Sequence, residues 1–187
     1  MNKDNIIDTN DQQVLGDAYP DLTGGFSTSL RWKGLDFSAN LTYSIGGKVI
    51  NFQDYYCYNM EGSGNQYAIV ADRYHSDADP GRNNVPLAER HATTNTQNRL
   101  CSFFVEDASY LRLSNVTIGY TLPKAWTEKV KITRARVFVS GDNLFCISPY
   151  RGYNPEISYK SSNMEAGFDW GGYPLSRIIT GGINITF

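Results

Sequence analysis

The sequence predicts an all-β fold in which antiparallel up-and-down strands form part of a transmembrane β-barrel. Apolar residues occupy every second position in five segments, which is the pattern of strands with one apolar and one polar face. Short connections alternate with two long ones, as in outer-membrane barrels, whose short turns and long extracellular loops lie at opposite edges. We assign all of 1–187 to this barrel segment, with strands at 23–33, 35–45, 103–122, 134–146 and 175–187 and long extracellular loops at 46–99 and 147–174.

The first two predicted strands form a hairpin with a regular pattern. In the second strand the apolar positions recur without exception, at Leu35, Phe37, Ala39, Leu41, Tyr43 and Ile45. Only Lys33 and Gly34 separate this segment from the alternation before it. A break of two residues between alternating segments predicts a tight hairpin turn.

The later segments contain one change of phase and end in an apolar strand. Up to Leu113 the apolar residues stand at odd positions, and from Val116 onward they stand at even positions. This change of phase predicts a β-bulge at Ser114 and Asn115. Pro123 ends that strand, because proline cannot donate a hydrogen bond to a sheet ladder. The last strand alternates again, with one face formed by Ile179, Gly181, Ile183, Ile185 and Phe187.

Composition and charge exclude several classes of protein. The 17 Lys and Arg residues against 19 Asp and Glu residues give a net charge of −2, and no basic cluster occurs, which argues against nucleic-acid binding. No window approaches the roughly 18 apolar residues of a transmembrane helix. Cys57, Cys101 and Cys146 fit no zinc-binding spacing. We expect three free thiols. The alternative, if the chain is exported, is one disulfide and one free thiol.

The apolar face of each strand needs an apolar neighbour, which is either a second sheet or lipid. A soluble carbohydrate-binding β-sandwich is therefore the alternative to the barrel. Three features favour lipid. The opposite face carries strongly polar residues such as Asp36, Asn40 and Asp142, aromatic residues such as Trp32 lie near strand ends, and Phe187 completes the last apolar face.

Five longer motifs stand out along the chain. They are VLGDAYPDLTGGF (14–26), SYLRLSNVTIGYTLP (109–123), RVFVSGDNLF (136–145), GYNPE (152–156) and YPLSRIITGGINITF (173–187). Together they resemble the C-terminal part of SusC/RagA-type TonB-linked outer-membrane proteins, over nearly the whole chain and in matching order. One departure is Asn154, where the family commonly has Asp before Pro-Glu.

The resemblance implies a longer parent protein and an import function. Members of the family carry an export signal, a plug region and a 22-stranded barrel in the outer membrane of Gram-negative bacteria. They import glycan oligomers or peptides, receive energy from the TonB complex through their N-terminal region and pair with a SusD-like surface lipoprotein. This chain would supply the last five strands, in contact with outer-membrane lipid, and Met1 would be an internal position of the parent.

The two ends of the chain carry one further feature each. The resemblance implies that the last strand carries the barrel-assembly signal through Ile183, Ile185 and Phe187. The N-terminal residues are similar to part of a calcium loop that lacks its first Asp, and the alternative is a solvated turn rich in Asn and Asp. Because the first ligand is missing we favour the turn and expect no metal for this chain, with calcium possible in the intact parent. The residues of this partial loop are Asn2, Asp4, Asp8 and Asp11.

Aromatic residues in the second long loop are the candidates for substrate contact. Exposed rings beside polar groups suit sugars, whose C–H faces are apolar and whose hydroxyl groups need hydrogen-bond partners. The alternative is that these rings pack the loop against itself or mark the lipid headgroup boundary. No P-loop, GxGxxG, GxSxG or HExxH motif occurs, so no enzymatic activity is predicted. The candidates are Tyr150, Tyr153, Trp170 and Tyr173.

Overall fold

The computed structural model describes residues 12–58, 64–81, 101–156 and 166–187, and the chain divides into two compact units. The sheet unit comprises Pro20–Gly47, Asp107–Glu156 and Tyr173–Phe187. The loop unit is formed by the described residues of Met1–Tyr19, Lys48–Glu106 and Ile157–Gly172. Within the described ranges, no helix has the length and apolar character needed to cross a membrane.

Strands dominate the described part of the chain, and its helices are short. In chain order the elements are β1 (Leu22–Trp32), β2 (Leu35–Ile45), β3 (Lys48–Asn51), α1 (Phe52–Cys57), β4 (Val105–Asp107), β5 (Tyr110–Thr121), α2 (Lys124–Thr127), β6 (Arg134–Ile147), β7 (Phe168–Asp169) and β8 (Ile178–Thr186). Three 3₁₀ turns lie at Ala68–Asp72, Ser102–Phe104 and Glu128–Val130.

The sheet unit is one antiparallel sheet of five strands in the order β1-β2-β5-β6-β8. Each strand pairs with its neighbour along the chain within this sheet, so the predicted up-and-down arrangement is confirmed. The turn between β1 and β2, the α2 connection and the end of β8 lie at one edge. The two long connections lie at the opposite edge, which we call the long-loop edge.

Two local predictions are confirmed in this sheet. Lys33 and Gly34 form the whole β1–β2 turn, with φ angles of 46° and 89°. Two positive φ values fit a type I′ turn, whose twist matches that of the flanking strands. The register of β5 shifts at Ser114 relative to both neighbouring strands, which is the predicted bulge. Because of the bulge, the odd-numbered residues of β5 before Ser114 and the even-numbered residues after it lie on the same face of the sheet.

One face of the sheet is apolar and exposed along its whole width. A register row that crosses all five strands consists of Trp32, Leu35, Tyr120, Val137 and Ile183. All five side chains are exposed, with Ile183 at 65%. A soluble sheet buries such a row because apolar surface is unfavourable in water.

The opposite face is polar. The row Ser29, Ser38, Thr117, Ser140 and Thr180 places a hydroxyl group on every strand. Further along this face, the Asn115 side chain donates a hydrogen bond of 2.6 Å to the Asp142 carboxylate. The sheet therefore separates an apolar surface from a hydrogen-bonding surface.

Two strands begin later than the alternation predicts. The predicted strand 103–122 begins at Tyr110, because Phe103 and Phe104 contact Tyr58 and Tyr55 in the loop unit rather than continuing the ladder. The predicted strand 175–187 begins at Ile178. Ser176 lies just before this strand, and its carbonyl accepts a hydrogen bond from the side chain of Asn143 rather than from the backbone of a neighbouring strand.

The loop unit has its own small core, and its β3 and α1 lie inside the segment that the sequence predicts as a long loop. β3 lies between β4 and β7 and pairs in parallel with β7. Asn51 is almost fully buried, accepts a hydrogen bond of 3.0 Å from the Asp54 amide as the N-cap of α1, and donates one of 3.1 Å to Glu106. Capping of this kind satisfies a helix N–H that has no partner within the helix.

Candidate functional site

A buried arginine organises the polar face of the sheet unit at the long-loop edge. Arg112 on β5 is only 6% exposed and lies opposite Cys146 of β6. Its guanidinium pairs with the Glu156 carboxylate and donates a second hydrogen bond of 2.8 Å to the Asn154 side-chain oxygen. A buried charge requires such partners, since removal from water is costly.

The GYNPE segment is folded to present these partners. The Asn154 side-chain oxygen accepts a hydrogen bond of 3.2 Å from the Glu156 amide, and its NH₂ group donates one of 3.1 Å to the Glu156 carbonyl. Asparagine commonly closes a turn in this way. Because residue 154 is an amide rather than a carboxylate, Glu156 supplies the negative charge of this corner.

A cavity of about 180 Å³ lies beside this corner in the sheet unit. Arg112 and the exposed Arg177 are both among its lining residues, and so is Tyr153, an exposed aromatic residue. The remaining lining residues are Asn143, Phe145, Cys146, Asn154, Pro155 and Leu175.

The four aromatic candidates differ in exposure. Tyr150 is 7% exposed, and its ring lies over Gly152, where an added Cβ would meet the Tyr150 hydroxyl oxygen at 2.3 Å. Tyr173 is 88% exposed, and Tyr153 lines the cavity. Tyr150 therefore supports the loop, whereas Tyr153 and Tyr173 are accessible to a ligand. Substrate contact by any of them stays a prediction.

Trp170 belongs to the loop unit and stacks on Phe52. The two rings lie 3.9 Å apart between centroids and are inclined by 8°. Phe52 is buried, whereas Trp170 keeps 44% of its surface exposed. Phe52 therefore holds the indole from one side and leaves it accessible, as a stacking platform requires. Phe52, which directly follows the short strand β3, is not among the residues that the sequence marks as candidates.

The predicted assembly-signal residues lie on the apolar face. Ile183, Ile185 and Phe187 are all exposed, and Ile183 and Ile185 pair in register with Val137 and Ala135 of β6. Their role in assembly stays a prediction.

Metal-binding groups are scarce in the described part of the chain. The partial calcium loop of Asn2, Asp4, Asp8 and Asp11 lies outside the described residues. Within those ranges no group of three His, Cys, Asp or Glu residues could hold an ion. Asp77 instead accepts a hydrogen bond from the Tyr74 hydroxyl, which raises the pKa of Tyr74. The cysteines Cys57, Cys101 and Cys146 are free thiols.

Comparison with known proteins identifies the fold. No protein-family model matches the sequence. The chain is 35% identical over 186 residues to TonB-dependent receptor P3 of Formosa agariphila, in a match that covers 97% of this chain and 18% of the receptor. It is 26% identical over 192 residues to TonB-dependent receptor SusC of Bacteroides thetaiotaomicron, covering 100% of this chain and 17% of SusC. The chain corresponds to a barrel segment of SusC-like TonB-dependent receptors.

A solved structure supports the same assignment for this SusC-like segment. The RagAB peptide transporter superposes on it with a TM-score of 0.76 and 26% identity, over 93% of this chain and 18% of the transporter chain. The open five-stranded sheet is therefore part of a barrel, as the alternation predicts. The chain spans less than a fifth of the length of these relatives.

Proposed function

We propose that the protein containing this SusC-like segment is an outer-membrane importer of glycan oligomers or peptides. The proposal rests on the two-sided sheet. One face carries an exposed row of apolar residues, and the opposite face carries a row of hydroxyl groups. A membrane barrel places the first kind of row against lipid and the second against an aqueous interior.

The soluble β-sandwich is not favoured. A sandwich buries the apolar face of one sheet against a second sheet about 10 Å away. Ile118 and Val139, at the centre of the five-stranded sheet, are 53% and 54% exposed. A binding module with its central apolar residues in water would aggregate, because nothing offsets the exposed hydrocarbon surface.

The location and partners of the parent are part of the same proposal. It resides in the outer membrane of a Gram-negative bacterium and draws energy from the TonB complex through a region outside this chain. A SusD-like surface lipoprotein delivers the substrate. The names of the relatives, receptors and a peptide transporter, support transport rather than catalysis.

The accessible aromatic residues are the proposed contacts for the transported oligomer. Trp170 and Tyr173 present exposed rings, and Tyr153 combines a ring with the neighbouring Arg177 and Asn143. Tyr150, which is buried, would act by holding the loop in place. Such rings can stack on the C–H face of a sugar or on apolar side chains of a peptide.

We further propose that the apolar residues of β8 carry the signal for barrel assembly. Ile183, Ile185 and Phe187 present a continuous exposed apolar edge on the outermost strand of the described sheet. An assembly factor would bind this apolar surface before the barrel closes.

A pair of neighbouring residues on β6 provides a direct test of the membrane orientation. Val139→Arg places a charge on the apolar face and should destabilise folding into lipid vesicles by about 2–4 kcal/mol near the midplane. Ser140→Arg, on the hydroxyl row, is the matched control and should fold nearly as well as the native protein. Folding is followed by the electrophoretic shift between heated and unheated samples. Equal behaviour of the two variants would contradict the proposal.

Import itself is tested in the source bacterium. Deleting the gene that encodes the full protein should abolish growth on at least one defined pool of glycan oligomers or peptides, and a plasmid copy should restore it. Normal growth of the deletion strain on every pool would overturn the import function and leave the membrane fold untouched.

A further inference from the structure

The cavity at the long-loop edge carries an excess of positive charge. Arg112 and Arg177 line it, whereas Glu156 is the only carboxylate that pairs with either of them among the described residues. Arg112 is buried and its charge is balanced by Glu156. The second guanidinium, that of Arg177, has no ion pair within the described ranges and is exposed.

Residue 154 leaves this excess uncompensated. The Asn154 oxygen accepts a hydrogen bond from Arg112 as a carboxylate would, but it adds no negative charge to the cavity. An Asp at this position would have added one negative charge to the cavity wall. With Asn154, the guanidinium of Arg177 has no carboxylate partner among the described residues, and the same cavity is lined by the exposed phenol ring of Tyr153 and the apolar side chain of Leu175.

We infer that this cavity binds a carboxylate group of the transported oligomer and that Arg177 is the residue that pairs with it. This inference rests on the proposed import function. The planar fork of a guanidinium matches the two oxygens of a carboxylate and forms short, charge-assisted hydrogen bonds. Tyr153 and Leu175 contact the apolar part of the residue that carries the carboxylate. A uronic acid and the carboxyl end of a peptide both supply this chemistry.

Two pairs of probes separate the two sources of carboxylate. Trigalacturonate is compared with neutral maltotriose, and tetra-alanine with a free carboxyl terminus is compared with its amide. Each is titrated calorimetrically into the detergent-purified full protein that contains this chain. At least one carboxylate probe should bind more tightly than its neutral partner, and the pair that shows the difference names the source.

Arg177→Gln decides the role of the arginine. It should weaken binding of that carboxylate probe about tenfold, the effect of losing one charged hydrogen-bonding group, and leave the neutral probe unchanged. Arg134→Gln is the matched control, because Arg134 is exposed at the opposite edge of the sheet. Arg177→Lys keeps the charge and should retain part of the affinity.

Three results would overturn the inference. These are equal loss for carboxylate and neutral probes, no loss in Arg177→Gln, and no binding of either carboxylate probe at millimolar concentration. None of them bears on the growth test above, so a failed carboxylate site remains distinguishable from a failed import function.

Discussion

Arg136 on β6 reaches Asp36 on β2 across the strand that separates them. Its Nε donates a hydrogen bond of 2.8 Å to Asp36 Oδ1, and its Nη2 donates one of 2.5 Å to Oδ2. The guanidinium passes over Gly119 of β5, where an added Cβ would lie 2.3 Å from Nη2. Gly119 therefore leaves the space in which an ion pair joins β2 and β6 across β5 on the polar face.

We predict that Gly119→Ala breaks this link. The new methyl group would displace the flexible end of Arg136 and separate it from Asp36. The Tm of the chain refolded in detergent should fall by about 2–4 °C, the shift expected for one lost interaction in a chain of this size. Gly181→Ala on β8 is the control, because no atom lies within 4 Å of its added methyl group. An equal Tm for both variants would show that the ion pair contributes nothing measurable.

Trp170 should contribute to oligomer binding through its exposed face. Trp170→Ala in the full protein is expected to weaken binding of the imported oligomer about tenfold, or roughly 1.4 kcal/mol. Trp170→Phe should keep most of the affinity, because a smaller ring can still stack on Phe52. Trp126→Ala, exposed on α2 at the opposite edge, is the control. Affinity in Trp170→Ala equal to that of the control would exclude the platform.

Phe187 should be needed for assembly of the barrel. Deleting it from the full protein removes an exposed ring from the apolar face of the sheet and should lower the amount at the cell surface several-fold, measured by surface labelling. Phe187→Tyr should assemble normally, and Thr186→Ala, on the polar face of β8, is the control. Normal surface levels after the deletion would contradict the assembly role.

The loop unit should lose stability at alkaline pH through Tyr67. Burial, assisted by the nearby Asp54 carboxylate, raises the pKa of Tyr67 above its ordinary range. The neutral phenol therefore stabilises the folded unit fully below about pH 10, and this contribution is lost as the pH rises further. Ultraviolet titration should show a late phenolate step that disappears in Tyr67→Phe. The exposed Tyr56→Phe is the control, and a titration curve unchanged in shape by Tyr67→Phe would refute the assignment.

Local pattern was sufficient for most of the five-stranded sheet. The alternation in 35–45, the Lys33-Gly34 turn and the bulge at Ser114 are consequences of a two-residue period and of backbone conformations that nearby residues favour. Such features depend on a few neighbouring positions. The alternation predicts too early a start for β5, because Phe103 and Phe104 are apolar and yet contact Tyr58 and Tyr55 instead of joining the ladder.

The candidate site was less predictable than the strands. Exposed and buried aromatic residues look alike in sequence, so only the structure separates buried Tyr150 from exposed Tyr173. Arg112 stands at a polar position of β5, but nothing near it in sequence indicates that its partners lie 42 and 44 residues later.

Alternation and turn residues predict two-faced antiparallel strands with long connections at one edge, because these signals act over a few neighbouring positions. The meetings of distant side chains are visible in the folded chain alone: Arg136 with Asp36 over Gly119, Arg112 with Asn154 and Glu156, and Trp170 with Phe52. These contacts join residues far apart in the chain, and strand register together with loop closure fixes them.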